Sequence, residues 1–303
     1  MTISYSRPVL VGTDGSPGAR EAVRWAAREA TLRGRPLHLV QAVETQWPVG
    51  FLPGSLAEYP PEPNRDRIRQ VLTEQLAAQA EELRPDQATV TTVLRDGPAA
   101  DVLAAEAETV EAELVVVGGR GHSALARTLL GSTASELLHA TSRPVVVVRG
   151  EAASPGSCVV IGVGGLGTGD HAARFALDFA VRHKLPVRAV HGRSDSLFAQ
   201  VAERLTTEQR NAAASEQEVV NAAVAAEVDA WRAAHPELDI QREEVDEQPV
   251  QALLDRARDA ALLVVGSHHR GALQRVILGS ISHAVLHQAP CPVAVIREPE
   301  EQG

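Results

Sequence analysis

The stretch LVVVGGRGHSALARTLLGSTASELLHATSRPVVVVR, residues 114–149, is answered by LLVVGSHHRGALQRVILGSISHAVLHQAPCPVAVIR, residues 262–297. Gly118 maps onto Gly266, Gly131 onto Gly279, Ser132 onto Ser280 and Pro144 onto Pro292, each 148 residues on. A constant offset over so long a stretch is the mark of an internal duplication. Each copy runs from an apolar β-branched segment through a glycine turn and a helix-forming segment to a second apolar run. That order is a βαβ unit with parallel strands. The beginnings of the two halves also correspond, RPVLVGTDGSPGAREAVRWAAREA from Arg7 matching SCVVIGVGGLGTGDHAARFALDFA from Ser157.

Outward from this core the same alternation continues. In the first half the pattern predicts strands near 8–13, 37–43, 88–94, 114–118 and 144–149, and helices near 17–33, 64–83, 98–109 and 132–141. Ala19, Ala22, Val23, Ala26 and Ala30 follow the three-and-four spacing of a helix face laid on a sheet, and Arg33-Gly34 supplies a C-terminal stop. The second half predicts strands near 158–163, 186–191, 240–245, 262–266 and 292–297, with a long helical stretch from about 199 to 235. Residues 46–63 hold Pro48, Pro53, Pro60, Pro61 and Pro63 and read as an irregular loop. The small, polar segment GEAASPGS, residues 150–157, reads as a linker. A chain of 303 residues thus divides into two α/β domains, 1–150 and 156–303, each with five strands in a parallel sheet.

Composition narrows the function classes. Apolar residues make up 44% of the chain but aromatics only 3%, so Val, Leu, Ile and Ala must fill the cores. A formal charge of -10, with no basic stripe, argues against a nucleic-acid binder, which needs cations to neutralise phosphates. No window approaches the ~20 apolar residues of a membrane span and no cationic, apolar leader opens the sequence, so a cytoplasmic location without membrane partners is expected. Cys158 and Cys291 open apolar runs and read as buried, reduced thiols. Lys184 is the single lysine among 29 basic residues, and G-x-x-x-x-G-K-[ST] occurs nowhere, which excludes a Walker-type phosphate loop.

In an open parallel sheet, ligands sit beyond the carboxyl ends of the strands, where the strand order reverses. The residues following the first and fourth strands are therefore the candidates: Thr13-Asp14-Gly15-Ser16 and Gly118-Gly119-Arg120-Gly121. Glycine lets main-chain N–H groups approach an anion with no Cβ in the way. Gly131-Ser132-Thr133 then opens a helix whose free N–H groups and dipole suit a phosphate. Asp14 can accept hydrogen bonds from a nucleoside or share a divalent cation with phosphates, and Arg120, Arg127, Arg270 and Arg275 have the reach and fork geometry for phosphate oxygens.

The spacing of Gly118, Gly121, Gly131 and Ser132, G-x-x-G-x9-G-[ST], resembles the ATP-binding motif of the universal stress protein family, and VLVGTDGS resembles that family's opening strand and acidic loop. The resemblance spans nearly all of both halves. It implies two tandem doubly wound five-stranded parallel-sheet domains, Rossmann-like and akin to the adenine nucleotide alpha hydrolases, related as an intramolecular pseudo-dimer through their terminal strands. It also implies ATP, with Mg2+, in the first half: Asp14 near the nucleoside, the main chain of Ala42 against adenine, and the glycine motif around the phosphates. One position departs from the pattern, Ala134 standing where a hydroxyl is common, with Thr133 or Ser135 as substitutes.

The second half departs further. Gly164 replaces Asp14 and His269 replaces Gly121, while Gly266, Gly279, Ser280 and Ser282 remain, so a weaker or empty site is expected there. The adjacent His268 and His269 have no third ligand at metal spacing and read as loop histidines. The function implied is a nucleotide-binding regulatory protein of stress or growth arrest, hydrolysing ATP slowly at most. An ATPase or adenylating enzyme, a pseudo-dimer scaffold, an unidentified protein partner and a homodimer all stay open.

Overall fold

A computed structural model describes residues 7–44, 62–84, 89–119, 130–149, 156–164, 170–192, 207–267 and 279–297. The chain divides into two compact units, Met1–Val148 and Arg149–Gly303. Unit 1 runs β1 (Val9–Gly12), α1 (Pro17–Arg33), β2 (Leu37–Val43), α2 (Glu62–Leu83), β3 (Val90–Asp96), α3 (Ala99–Thr109), β4 (Leu114–Gly118), α4 (Ser132–Ala140) and β5 (Val145–Val148). Its strands are parallel in the order β3-β2-β1-β4-β5. Successive connections lead from β1 to one side and from β4 to the other, which makes the β1/β4 boundary the switch point.

Unit 2 runs β6 (Cys158–Gly162), α5 (Asp170–His183), β7 (Val187–Gly192), α6 (Thr207–Ala234), β8 (Ile240–Val245), α7 (Pro249–Arg256), a 3-10 turn (Ala257–Asp259), β9 (Ala260–Gly266), α8 (Ser280–Gln288) and β10 (Val293–Ile296). The parallel order is β8-β7-β6-β9-β10, the arrangement of unit 1 repeated. None of the described helices is long and apolar enough to cross a membrane.

The strands form because branched aliphatic runs are covered on both faces. Val9, Leu10 and Val11 are wholly buried, as are Leu114, Val115 and Val116 beside them, and each such side chain stabilises the fold by about 1.5–3 kcal/mol. Helix α1 buries the alanine face expected of it, and Trp25 with it. Ser16 starts the helix by accepting the Ala19 N–H at 3.2 Å, and Pro17 takes the first helical position. Gly34, at φ 62°, ends it in a left-handed conformation that costs other residues more.

Among the boundaries that differ from expectation, two have a clear physical reason. Strand β3 runs to Asp96 rather than 94, because Arg69 of α2 binds the Asp96 carboxylate and the Gly97 N–H reaches the Val43 carbonyl at 3.0 Å. Glu62 and Pro63, placed with the proline-rich loop, belong to α2, whose first turn needs no N–H from proline. The rest of that loop lies outside the described residues.

One buried polar group escapes pattern reading. Glu29 on the sheet-facing side of α1 is 1% exposed and accepts from Arg33 Nε at 2.5 Å. Arg33 and Arg35 in turn donate to Glu113, at 2.8 and 2.6 Å, tying the end of α1 to the approach to β4. Burial pushes the Glu113 carboxyl up, but the hydrogen bonds and charges of Arg33 and Arg35 outweigh it and hold it below its ordinary value.

Candidate functional site

At the carboxyl edge of unit 1, the loop after β1 is held by its own polar atoms. The Thr13 N–H donates to the Val40 carbonyl at 2.9 Å, and Thr13 Oγ1 accepts from the Gly15 N–H at 3.3 Å. Asp14 Oδ1 accepts from the Ser16 N–H at 2.9 Å, which fixes an exposed carboxylate at the switch point. Gly15, at φ 77°, supplies the left-handed step.

Beside this loop the β1–β2 ladder ends at Gly12 opposite Val40. In a parallel ladder, successive residues turn their N–H and C=O to opposite neighbours. Val40 accepts from Thr13 on the β1 side, and Val43 accepts from Gly97 on the β3 side. The main chain of Ala42 therefore faces the β1 side just past the end of that strand, a donor and acceptor together at the mouth of the crevice.

Strand β4 closes the other wall. A Cβ on Gly118 would stand 2.9 Å from the carbonyl carbon and oxygen of Gly18 and 3.1 Å from the Ala19 nitrogen, so glycine is required by the approach of α1. Past Gly118, the Gly119 N–H donates to the Val148 carbonyl at 2.9 Å and the Gly119 carbonyl accepts from the Gly131 N–H at 3.1 Å. The end of β4 is thereby pinned to the start of α4. Gly131 caps that helix without a side-chain hydrogen bond, in contrast to Ser16 at α1. The N–H groups of the first turn, at Ser132, Thr133 and Ala134, have no carbonyl within the helix to bind, and donors at such a helix start suit an anion. Ala134 is 1% exposed, a methyl at the position of the missing hydroxyl. Arg120, Gly121 and Arg127 lie outside the described residues.

The second unit keeps the frame and changes the lining. Val163 and Gly164 follow β6 where Thr13 and Asp14 follow β1, removing a hydroxyl and a carboxylate. Gly279 again caps its helix, α8, without a side-chain bond, and exposed Ser280 opens it. Gly266 is less confined than Gly118, its nearest neighbour for a Cβ being Ala172 Cβ at 3.9 Å. Ser282, a candidate ligand contact, is 3% exposed and its hydroxyl donates to the Gly266 carbonyl at 2.8 Å, so that proton is committed to joining β9 to α8. Gly192 stands where Ala42 stands in unit 1, and a Cβ there would meet Pro249 Cα at 2.6 Å. His268, His269, Arg270 and Arg275 fall outside the described residues.

Among the described residues no group of three His, Cys, Asp or Glu side chains could hold a metal. Cys158 and Cys291 are free and buried, and burial pushes the Cys291 thiol up to about 12. Two polar features had no sequence signal beyond a polar residue in an apolar strand. His191 donates from Nδ1 to the Val163 carbonyl at 2.8 Å, and its buried Nε2 has no hydrogen-bond partner among the described residues. His38 lies between Thr91 and Glu106, partners 53 and 68 residues away.

These features define a duplicated α/β protein whose two units each carry a glycine-bounded helix start at the carboxyl edge of a parallel sheet. The chain belongs to the universal stress protein family, whose family model matches residues 6–149 and again 158–297. It is 34% identical over 295 residues to a universal stress protein of Mycolicibacterium smegmatis, covering 95% of this chain and 96% of that one. A universal stress protein of Mycobacterium tuberculosis is 32% identical over 299 residues, covering 96% and 97%. The fold is shared with a universal stress protein of Archaeoglobus fulgidus DSM 4304, at TM-score 0.66 and 17% identity over 96% of this chain and 98% of that one.

Proposed function

We propose that unit 1 binds ATP and that occupancy of this site, rather than turnover, is the protein's working signal. The observation that carries the reading is the Gly131-to-Gly119 hydrogen bond, which sets an uncapped helix start directly beside the end of β4. Donors of that first turn suit the phosphates, with Thr133 and Ser132 offering hydroxyls beside them. In this reading the Asp14 carboxylate accepts from the ribose, and the Ala42 main chain pairs with the edge of adenine through one donor and one acceptor. Gly121 and Arg120 belong to the same phosphate loop in this reading.

Mg2+ fits only as a companion of the phosphates. Among the described residues Asp14 is the carboxylate that would hold it, and the remaining ligands would be phosphate oxygens and water. In this reading no lysine meets the phosphates and, among the described residues, no second acid orients a water, so hydrolysis is slow at most. In this reading the protein works in the cytoplasm, in a regulatory role in stress or growth arrest of the kind the resemblance implies. Unit 2, lacking the Asp14 carboxylate and the Thr13 hydroxyl, binds more weakly or not at all. Calorimetry with ATP and magnesium tests the proposal: one binding event per chain that disappears in Asp14→Ala supports it, and absence of heat from the intact, nucleotide-free protein refutes it.

A further inference from the structure

Strands β2 and β3 of unit 1 carry a second polar constellation, at the opposite end of the sheet from the crevice. His38 and Thr91 are direct cross-strand partners near the beginnings of the two strands. Thr91 Oγ1 lies 2.7 Å from His38 Nδ1, and His38 Nε2 lies 3.1 Å from Glu106 Oε1 on α3. His38 and Glu106 are each 8% exposed, whereas Thr91 is exposed on the outermost strand of the unit. Arg95 Nε, 3.3 Å from Glu106 Oε2, steadies the carboxylate from its other oxygen.

The chemistry of the donors fixes the direction of the chain. An ionised Glu106 can only accept, so the imidazole proton sits on Nε2 and Nδ1 presents its lone pair to the threonine hydroxyl. The competing acceptor for that hydroxyl, the Leu37 carbonyl, is farther away at 3.4 Å. A hydroxyl within reach of a base, with the base oriented by a third group, is the arrangement that activates an alcohol nucleophile. Unit 2 has Arg188, Gln241 and Arg256 at the three corresponding positions, and there Arg256 pairs with Glu243 at 2.8 Å. The duplicated fold is thus built without the relay, and the nucleotide site makes no use of it.

We propose that Thr91 is an activated nucleophile that accepts an acyl group from activated esters, with His38 as its base and Glu106 as the positioning residue. Thr91 Oγ attacks the ester carbonyl carbon while its proton passes to His38 Nδ1, and the imidazolium is stabilised by Glu106. The bond to the leaving group then breaks, and the departing alkoxide takes the proton back from Nδ1. The products are a threonine ester and the free alcohol, with no redox change.

The test uses the full chain with excess p-nitrophenyl acetate, following nitrophenolate release and locating the acetyl group by peptide mass mapping. The expected result is one acetyl at Thr91, abolished in Thr91→Val, retained in Thr91→Ser and slowed by about 100-fold or more in His38→Asn, the usual contribution of a general base. Glu106→Gln should slow labelling while Thr91 remains the acceptor. Thr91→Val and Thr91→Ser alter an exposed site, so their melting midpoints should stay near the parent's and the comparison survives even if His38→Asn unfolds. An unmodified Thr91 in the parent, or equal labelling rates in a folded His38→Asn, overturns the proposal. A relay that merely braces β3 against α3 would move the melting midpoint of the His38 variant and leave no acetyl on Thr91.

Discussion

Gly118 and Gly266 occupy corresponding positions at the ends of β4 and β9, yet their surroundings predict opposite outcomes for the same substitution. In Gly118→Ala the new methyl would lie 2.9 Å from both the carbonyl carbon and oxygen of Gly18. These are main-chain atoms at the start of α1, so they cannot rotate aside, and relief requires displacing the helix from β4. Overpacking of this kind costs roughly 1–3 kcal/mol. In Gly266→Ala the nearest atom is Ala172 Cβ at 3.9 Å, an ordinary contact. Alanine there also narrows the unfolded ensemble, so a change between neutral and about 1 kcal/mol of stabilisation is expected. At about 2–4 °C per kcal/mol for units of this size, the first variant should lose roughly 2–12 °C of melting midpoint. The second should lose none. Scanning calorimetry of both variants without nucleotide, resolving a transition for each unit if they separate, gives the comparison. Equal losses, or a larger loss at Gly266, would refute the reasoning, because the glycines would then be required by something both units share. ATP titration adds a second readout, since displacement of α1 from β4 disturbs the crevice wall in unit 1 alone.

Asp14→Asn should weaken ATP binding by about 10- to 100-fold, the worth of one hydrogen bond to a charged acceptor, while leaving the Ser16 N–H an oxygen to bind; unchanged affinity by calorimetry would remove Asp14 from the site. Ser16→Ala should cost about 1 kcal/mol by removing the cap of α1, read as a lower denaturation midpoint. Glu113 is held below its ordinary carboxylate value of 4.5 by Arg33 and Arg35 against the opposing effect of burial. Its contribution is therefore complete above that value and is lost as pH falls through the lower, folded one. Glu113→Gln should accordingly flatten the acid end of the stability–pH curve and leave no added slope near neutrality. Cys291, pushed up to about 12, should resist thiol reagents at pH 8 until the chain unfolds, and rapid titration of the native protein would contradict its burial.

The parts of this protein that could be read before folding are those written locally. Val-rich runs name the strands, an alanine stripe names the buried face of α1, and the separation of Gly118 from Gly131 names the turn and helix start that the fold then joins by one hydrogen bond. What could not be read depends on partners far apart in sequence. Glu29 looks like a solvated position on an amphipathic helix until Arg33, itself held by the distant Glu113, binds it. The Thr91–His38–Glu106 line joins two strands and a helix whose register no composition predicts. The end of β3 at Asp96 was equally hidden, since a polar edge strand stops where a long-range ion pair lets it.

The inequality of the two units gains a physical basis from the same comparison. Substituting Gly164 for Asp14 removes a charge, but the alteration extends into the packing behind the crevice. Gly192 admits Pro249 so closely that a side chain like that of Ala42 would find main chain at 2.6 Å. Ser282 turns its hydroxyl inward to the Gly266 carbonyl. Restoring the carboxylate by Gly164→Asp should therefore fail to give unit 2 the affinity of unit 1. The end of β7 and the junction of β9 with α8 are each built around internal contacts of their own. If that single change, measured by ATP titration in an Asp14→Ala background, produced full affinity, the divergence would reduce to one missing charge and the packing differences would carry no functional weight.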